Sequence, residues 1–248
     1  TAFSSANQIP NLVTEIVLGA VLPFVFLFPE PNAAAPERPL TREGRGAFGF
    51  FAPFMSRNFS LVWGGRLLLS TGYALVSAYL LFFVADAFRS GDRSAEASHS
   101  ILTSVALGGV FVIAAVAAIF GSRARSRKLT ALGGAVLLSG ATGMAAVAEP
   151  WGLVVLAFLI YGIGQGAYGA MEMGLVADAL PAEADRVKDM GLINLTVALP
   201  QAIAPIIAVM LQQHGGDTRA LFMVAAICFG GGAGLISALA PARASQPL

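Results

Sequence analysis

The sequence has few charged residues, one cysteine and two histidines. Charged side chains account for 12% of the 248 residues, about half the share found in an ordinary soluble domain. A chain so poor in charge lacks the polar surface of a soluble enzyme, and no motif points to enzyme chemistry. The single Cys228 excludes an internal disulfide. His99 and His214 fall in predicted loops and are too few for a metal cluster, so neither a metal nor a cofactor is expected.

Hydrophobic residues are abundant and occur in long runs. They make up 56% of the chain, and the mean hydropathy is +0.75. The runs are about 20 residues long, which is the length that a helix needs to cross roughly 30 Å of hydrocarbon. The pattern therefore predicts an all-α integral membrane protein with about seven transmembrane helices in a lipid bilayer. The predicted spans are 9–28, 59–83, 101–121, 129–147, 152–175, 190–212 and 220–239.

Basic residues are concentrated in every second connecting segment. The alternate segments contain only Arg89, Arg93 and Arg219. The positive-inside rule predicts that the richer segments face the cytoplasm of a plasma membrane, with the N-terminus outside and the C-terminus inside. These clusters are short and adjacent to the membrane, so no nucleic-acid partner is expected. The richer segments hold Arg38, Arg42, Arg45, Arg57, Arg123, Arg125, Arg127, Lys128, Arg186, Lys188 and Arg243.

The chain divides into four predicted segments. One helix (1–28) precedes a cytoplasmic linker (29–58) that is marked by prolines and mixed charge. A six-helix bundle (59–240) and a short cytoplasmic tail (241–248) follow. The chain begins with Thr1 instead of methionine, which suggests a beginning that is missing, processed away or made separately.

Residues 164–169 match the G-x-G-x-x-G dinucleotide-binding pattern letter for letter. A genuine fingerprint follows a strand and opens a helix at a water-facing site, whereas this one lies inside a hydrophobic run. Small residues at every fourth position favour another interpretation, a smooth helix face that a neighbouring helix approaches closely. These residues are Gly162, Gly166, Ala170 and Gly174, with Gly230 and Gly234 in the same role in the last span.

Charged residues inside the predicted spans are the main candidates for function. Glu172 lies deep in the fifth span, where an ionised carboxylate costs a few kcal/mol. Such a residue faces a cavity or a partner, which suggests a role in proton carriage. The alternatives are a structural pair with an arginine and a side chain that reaches water at the cytoplasmic end. Arg66 is either a cavity cation for an anionic group or a residue at the membrane edge, and the edge is favoured.

Polar residues on the sixth span form a second candidate group. Asn194 and Gln201 are seven residues apart and share one helix face. Pro200 and Pro205 break the backbone ladder nearby, which is tolerated where protein or a water cavity covers the helix. Tyrosine rings elsewhere either stack on a solute or are interfacial or packing residues. These are Tyr73, Tyr79 and Tyr168.

Several segments resemble the major facilitator superfamily. Residues 168–181 (YGAMEMGLVADALP) and 185–205 (DRVKDMGLINLTVALPQAIAP) resemble its helices 10 and 11. Together with residues 57–86, which look like helix 7, they are similar to a bacterial branch akin to glycoside and sucrose transporters. In that branch the position of Glu172 is usually acidic. The resemblance implies that the chain comprises helices 6 to 12 of this fold.

The loop between helices 8 and 9 of the family resembles G-x-x-x-D-R-x-G-R-R-K. Here the chain keeps basic residues at Arg123, Arg127 and Lys128 but lacks the first glycine and the acid. The resemblance therefore implies a gating loop without its usual acidic latch.

The resemblance implies a secondary active transporter that moves a small polar solute, sugar-like before drug-like, with proton coupling. Transport in this family comes from two six-helix halves that rock about a midplane site, so a missing N-terminal half or a partner membrane subunit is expected. The alternative is a truncated or degenerate facilitator that acts as a structural or accessory subunit of a membrane complex. A seven-helix receptor also fits the helix count, but the last span has no lysine for a retinal Schiff base.

Overall fold

The computed structural model describes residues 52–87, 94–120, 124–179 and 186–239. Within these ranges all regular structure is helical, and six α-helices follow a short 3-10 helix. All six are long and apolar enough to cross a membrane, which confirms the all-α membrane fold. The first predicted span, most of the linker and the tail lie outside the described residues. The helices are α1 (Arg57–Ala87), α2 (Ala95–Phe120), α3 (Ala124–Val147), α4 (Trp151–Ala179), α5 (Arg186–Gln213) and α6 (Thr218–Ser237).

The six helices match the second to seventh predicted spans, and most extend beyond them. The clearest difference is α2, which begins at Ala95 instead of residue 101. Ser94 caps this end, because its Oγ accepts a hydrogen bond from the Ala97 N–H at 3.2 Å. His99 therefore lies inside α2, and the prediction that it falls in a loop is wrong. His214 lies in a turn directly after α5, as predicted.

Most of the packing in the bundle is between five pairs of helices. α4 packs against α2 and α3, α6 packs against α1 and α3, and α5 packs mainly on α1. Between α1 and α6, Phe83 stacks on Phe222 with ring centroids 4.2 Å apart. Large apolar side chains stay exposed on the outer faces, among them Phe111 and Ile227. Such exposure is expected where the surrounding solvent is lipid.

Helix ends meet in two sets, as expected for a chain that passes up and down through a bundle. Arg219, at the start of α6, donates hydrogen bonds to carbonyl oxygens at the end of α3. Lys128, near the start of α3, donates to carbonyl oxygens at the end of α6. The starts of α1 and α3 and the ends of α4 and α6 thus share one end of the bundle. Its relation to the cytoplasm stays a prediction.

Glycines allow α4 to approach α2 closely. A Cβ atom on Gly162 would collide with the backbone of Ala106. One on Gly166 would lie 2.7 Å from the Val110 carbonyl oxygen. These two positions confirm the predicted small-residue face, because backbone atoms of α2 occupy the space that a side chain would need.

The same run of glycines brings α4 against α3 on its other side. A Cβ on Gly164 would lie 2.8 Å from the Gly134 carbonyl oxygen, and one on Gly134 would lie 2.7 Å from the Gly164 carbonyl oxygen. Residues 164–169 are all helical. The G-x-G-x-x-G match is therefore part of a packed membrane helix and does not open a helix at a phosphate site.

The predicted stripe fails at its far positions. Ala170 is exposed, and Gly174 faces a side chain of α3 instead of a helix backbone. In α6, Gly230 approaches Ser139 of α3, but Gly234 has no described neighbour within 4 Å of its Cβ position. The reason is geometric. Each fourth residue advances about 40° around a helix of 3.6 residues per turn, so a strict four-residue stripe leaves the contact face.

We expect Gly162→Ala to lower the free energy of unfolding by about 1–3 kcal/mol, because the new methyl group meets backbone that cannot rotate aside. Gly169 lies in the same helix, and nothing described lies within 4 Å of its Cβ position. Gly169→Ala is therefore the matched control and should leave stability unchanged or slightly higher. Thermal unfolding of the purified variants in detergent measures both. Equal stability of the two variants would contradict the close approach of α2 and α4.

Candidate functional site

An ion pair connects α1 and α4 inside the bundle. The Nε atom of Arg66 lies 3.2 Å from Oε1 of Glu172. Arg66 is only 6% exposed and Glu172 is 24% exposed. Arg66 lies nine residues after the start of α1, and Glu172 lies seven residues before the end of α4. At 1.5 Å per residue, both are about 10–14 Å inside their helix ends.

Arg66 is buried among the helices of the bundle. The choice between a cavity cation and a residue at the membrane edge stays a prediction, because burial by protein does not fix depth in the membrane. A guanidinium can be buried to this extent because the Glu172 carboxylate offsets part of the cost of removing it from water. The structure also agrees with the alternative for Glu172, a pair with an arginine.

The hydrogen bonding of this pair is incomplete. In the described part of the chain, neither Nε nor Nη1 of Arg66 has a hydrogen-bond partner, although both atoms are buried. The Nε–Oε1 contact is therefore an ion pair whose N–H does not point at the carboxylate. Tyr168 donates to the same Oε1 at 3.5 Å, the outer limit for a hydrogen bond. The buried charges attract each other but leave donors unused.

Two tyrosines complete the surroundings of the pair. Tyr168 is 4% exposed, and Tyr73 follows Arg66 by seven residues on the same face of α1. Tyr73 also contacts Tyr161 edge to face, with ring centroids 6.3 Å apart. The structure thus brings together four of the predicted site residues: Arg66, Tyr73, Tyr168 and Glu172.

The other two predicted residues lie on α5, whereas the cluster is formed by α1 and α4. Asn194 and Gln201 are both exposed on α5, as expected for residues on one helix face. In the described ranges, neither makes a hydrogen bond to Arg66 or Glu172. α5 packs on α1, where Trp63 Nε1 donates to the Leu192 carbonyl oxygen at 2.8 Å.

The predicted gating residues are only partly described. Arg123 lies outside the described residues, whereas Arg127 and Lys128 lie in the first turns of α3 and not in a loop. Nη2 of Arg127 donates to both carboxylate oxygens of Asp178 on α4, at 3.0 and 3.1 Å. The segment around Arg127 lacks the acidic residue of the family motif, and Asp178 of the neighbouring helix α4 supplies a carboxylate to it.

Lys128 binds the end of another helix. Its Nζ donates to the carbonyl oxygens of Ser237 at 2.9 Å and of Leu239 at 2.6 Å. The last carbonyl groups of a helix have no partners within that helix and carry partial negative charge. Lys128 therefore joins the start of α3 to the end of α6.

A cavity of about 390 Å³ lies between α1, α2 and α4, within the range of roughly 300–1,000 Å³ typical of ligand pockets. Its described lining carries no Asp, Glu, Lys or Arg. Across the described residues, no three His, Cys, Asp or Glu side chains form a potential metal site. The polar lining residues are Ser77, His99, Thr103, Tyr161 and Gln165.

The cavity and the ion pair lie along the same face of α4, at different heights along the helix axis. On α4, Tyr161, Gln165, Tyr168 and Glu172 are separated by four, three and four residues and so follow one face. Gln165 and Glu172 are about 10 Å apart along the axis. Gln165 is not singled out by the sequence, because it stands inside the glycine motif. Its signal was the seven-residue spacing from Glu172.

We expect Glu172→Leu alone to destabilise the protein by about 3–5 kcal/mol, because it leaves the Arg66 guanidinium buried without a counter-charge. Adding Arg66→Met should recover most of this loss, since the double variant buries no charge. Unfolding of the wild type, both single variants and the double variant gives the coupling energy.

The control for this cycle is the more exposed pair on neighbouring helices. Arg127 is 29% exposed and Asp178 is 37% exposed, so Arg127→Met and Asp178→Leu should be coupled by less than about 1 kcal/mol. A coupling between Arg66 and Glu172 that is no larger than this would contradict a stabilising buried pair.

Comparison with models of protein families finds a match for this chain. The Major Facilitator Superfamily model matches residues 92–247, more than half of the chain and a range that includes α2 to α6. No curated protein matches the sequence.

Proposed function

We propose that this chain, which belongs to the major facilitator superfamily of membrane transporters, moves a small polar solute by secondary active transport coupled to protons. Membrane transport in general follows from the family. The type of solute and the coupling to protons are our proposal. The observation that carries it is the ion pair of Arg66 and Glu172 between two membrane helices.

The ion pair supports proton coupling through the cost of an unpaired charge. An ionised carboxylate that loses its counter-charge inside a membrane costs several kcal/mol, and binding a proton removes that cost. A shift of α1 relative to α4 within this half, accompanying the rocking of the two halves, would separate Arg66 from Glu172, and Glu172 would then accept a proton. Return of Arg66 would release it. The Tyr168 hydroxyl, 3.5 Å from Oε1, lies where it can contact the carboxyl group in both states.

The cavity between α1, α2 and α4 supports a small polar solute. Ser77, Thr103 and Gln165 offer neutral hydrogen-bonding groups to hydroxyl groups of a ligand. Tyr161 and Phe158 offer aromatic faces in the same cavity. A sugar-like compound, with many hydroxyl groups and an apolar ring face, fits this combination. Similarity to the glycoside and sucrose branch is part of this proposal.

A second set of helices is part of the proposed transporter. Asn194 and Gln201 are exposed on α5, and the cavity between α1, α2 and α4 opens to the surroundings. We propose that an N-terminal six-helix half, on the same or a separate polypeptide, covers these faces. Alternating access then comes from rocking of one half against the other. Asn194 and Gln201 would line the shared cavity from one side.

The proposed location is a cytoplasmic (plasma) membrane, with the basic end of the bundle inside. Arg57, Arg127 and Lys128 lie at the end shared by the starts of α1 and α3. The positive-inside rule places such an end in the cytoplasm. The C-terminus would then be cytoplasmic.

Glu172→Gln is expected to abolish proton coupling while the fold persists, because glutamine keeps a carbonyl oxygen beside Arg66 but binds no proton. The protein is purified from its native membrane and reconstituted into vesicles that contain a pH-sensitive dye. A panel of mono- and disaccharides is then supplied. Solute-driven proton entry should fall about tenfold or more in the variant.

The matched control is Glu96→Gln, since Glu96 is exposed in the first turn of α2. Intact mass spectrometry of the same preparation identifies any second half, as a partner chain or as a mass well above 25.5 kDa. Unchanged coupling in Glu172→Gln would remove Glu172 from the mechanism. A preparation without uptake that is held in a complex of fixed stoichiometry would instead indicate an accessory subunit.

Gln165→Leu should raise the KM for the transported solute about tenfold, because a leucine in the cavity cannot replace a hydrogen bond to a hydroxyl group. Gln213→Leu is the control, since Gln213 is exposed at the end of α5. Initial uptake rates at varied solute concentration measure both. An unchanged KM in Gln165→Leu would contradict the assignment of the cavity as the solute site.

A further inference from the structure

We propose that Arg66 binds an anionic group of the transported solute, a carboxylate or a phosphate, in exchange for the carboxylate of Glu172. The inference rests on the proposed transport function and narrows its solute class from polar compounds to polar anions. It is drawn from the unused donors of Arg66, its burial and the greater exposure of Glu172.

The first step is the number of unused donors on Arg66. A guanidinium carries five N–H donors. Three of them, on Nε and Nη1, are buried and make no hydrogen bond to any part of the chain that the structure describes. A buried donor without an acceptor costs free energy, and this cost is high for a charged group that is only 6% exposed. The site is therefore poorly satisfied by the protein itself.

The second step compares the two arginine–carboxylate pairs that the structure describes. Arg127 and Asp178 are partly exposed, yet Arg127 Nη2 donates to both carboxylate oxygens at 3.0 and 3.1 Å. Arg127 leaves one buried nitrogen, Nε, without a partner in the described chain, whereas Arg66 leaves two, Nε and Nη1. Arg66 and Glu172 are more buried but share one misaligned contact at 3.2 Å. If both pairs served stability, the more buried pair should have the better hydrogen bonds, because only good hydrogen bonds offset the cost of burying charge. Instead, the more exposed pair has them.

The third step is the accessibility of the two partners. Glu172 is four times as exposed as Arg66, at 24% against 6%. The carboxylate is thus the more accessible partner of the pair. A solute reaches Arg66 by taking the place of Glu172, and a carboxylate or phosphate is the group whose oxygens match a guanidinium. Glu172 then occupies the position of a ligand in the solute-free protein.

The exchange also balances charge. When the anion binds Arg66, Glu172 loses its counter-charge and accepts one proton. The site holds one guanidinium and one anionic charge before and after the exchange. A monoanion and one proton thus enter together without adding net charge to the membrane interior, where an uncompensated charge is costly.

The test measures thermal unfolding of the full chain in detergent with three probes that share a sugar ring. Glucose is uncharged, glucuronate carries a carboxylate and glucose 6-phosphate carries a phosphate. At saturating concentration and mildly acidic pH, at least one of the two anions should raise Tm by about 3 °C or more above the effect of glucose. The anion that does so identifies the chemistry that Arg66 recognises.

Variants locate the effect. Arg66→Gln should remove the anion-specific shift, and Arg127→Gln, the matched control, should keep it. In Glu172→Gln the guanidinium has no competing carboxylate, so the anion shift should persist at neutral pH.

Equal shifts with glucose and both anions, or an anion shift that survives in Arg66→Gln, would overturn the proposal. So would the absence of any anion shift in Glu172→Gln. These outcomes leave proton-coupled uptake of a neutral sugar intact, because that function is tested separately by the dye assay.

Discussion

The hydrocarbon of a membrane offers no hydrogen-bond partner to a polar group, and this constraint decides where the charges of the bundle lie. Arg127, Lys128 and Arg219 lie near helix ends, where each donates hydrogen bonds to a carboxylate or to backbone carbonyl oxygens. Arg66 is the exception, because it lies well inside α1. Its burial requires the carboxylate of Glu172, so the register of α1 against α4 is tied to one pair of charges.

Glycines on α4 let the neighbouring helices α2 and α3 pack closely, while a cavity stays open between α4 and α1. Gly162 and Gly166 bring α2 to one side of α4, and Gly164 brings α3 to the other. Two residues adjacent to these glycines, Tyr161 and Gln165, line the cavity beside α1. The six letters that imitate a nucleotide fingerprint thus combine two physical roles. Small residues set the distance between helices, and the residues interleaved with them carry the polar groups of the site.

Much of the fold could be predicted from hydropathy, because the length of an apolar run is a local property. Glu172 could be singled out for the same reason, since a carboxylate in a membrane span is unusual wherever its partner lies. The partner could not be identified, because Arg66 is more than 100 residues away and the contact depends on tertiary packing. Arg66 lies near the start of its apolar run, which favours the membrane edge when its partner is unknown. Asn194 and Gln201 shared a face as expected, but sequence spacing cannot tell which neighbour a face meets.

The Arg66–Glu172 pair is less well aligned than the Arg127–Asp178 pair, and this difference affects how easily a solute anion can replace Glu172. A bidentate pair in the position of Arg66 and Glu172 would hold α1 and α4 more firmly, and any solute would then have to break two aligned hydrogen bonds. The observed pair supplies charge neutrality but leaves donors on Nε and Nη1 unsatisfied within the described chain. Its attraction is strong enough to hold a cation in the membrane and weak enough for another anion to compete. Partial satisfaction at a functional site costs stability, and the close packing of α4 on α2 and α3 offsets that cost elsewhere in the bundle.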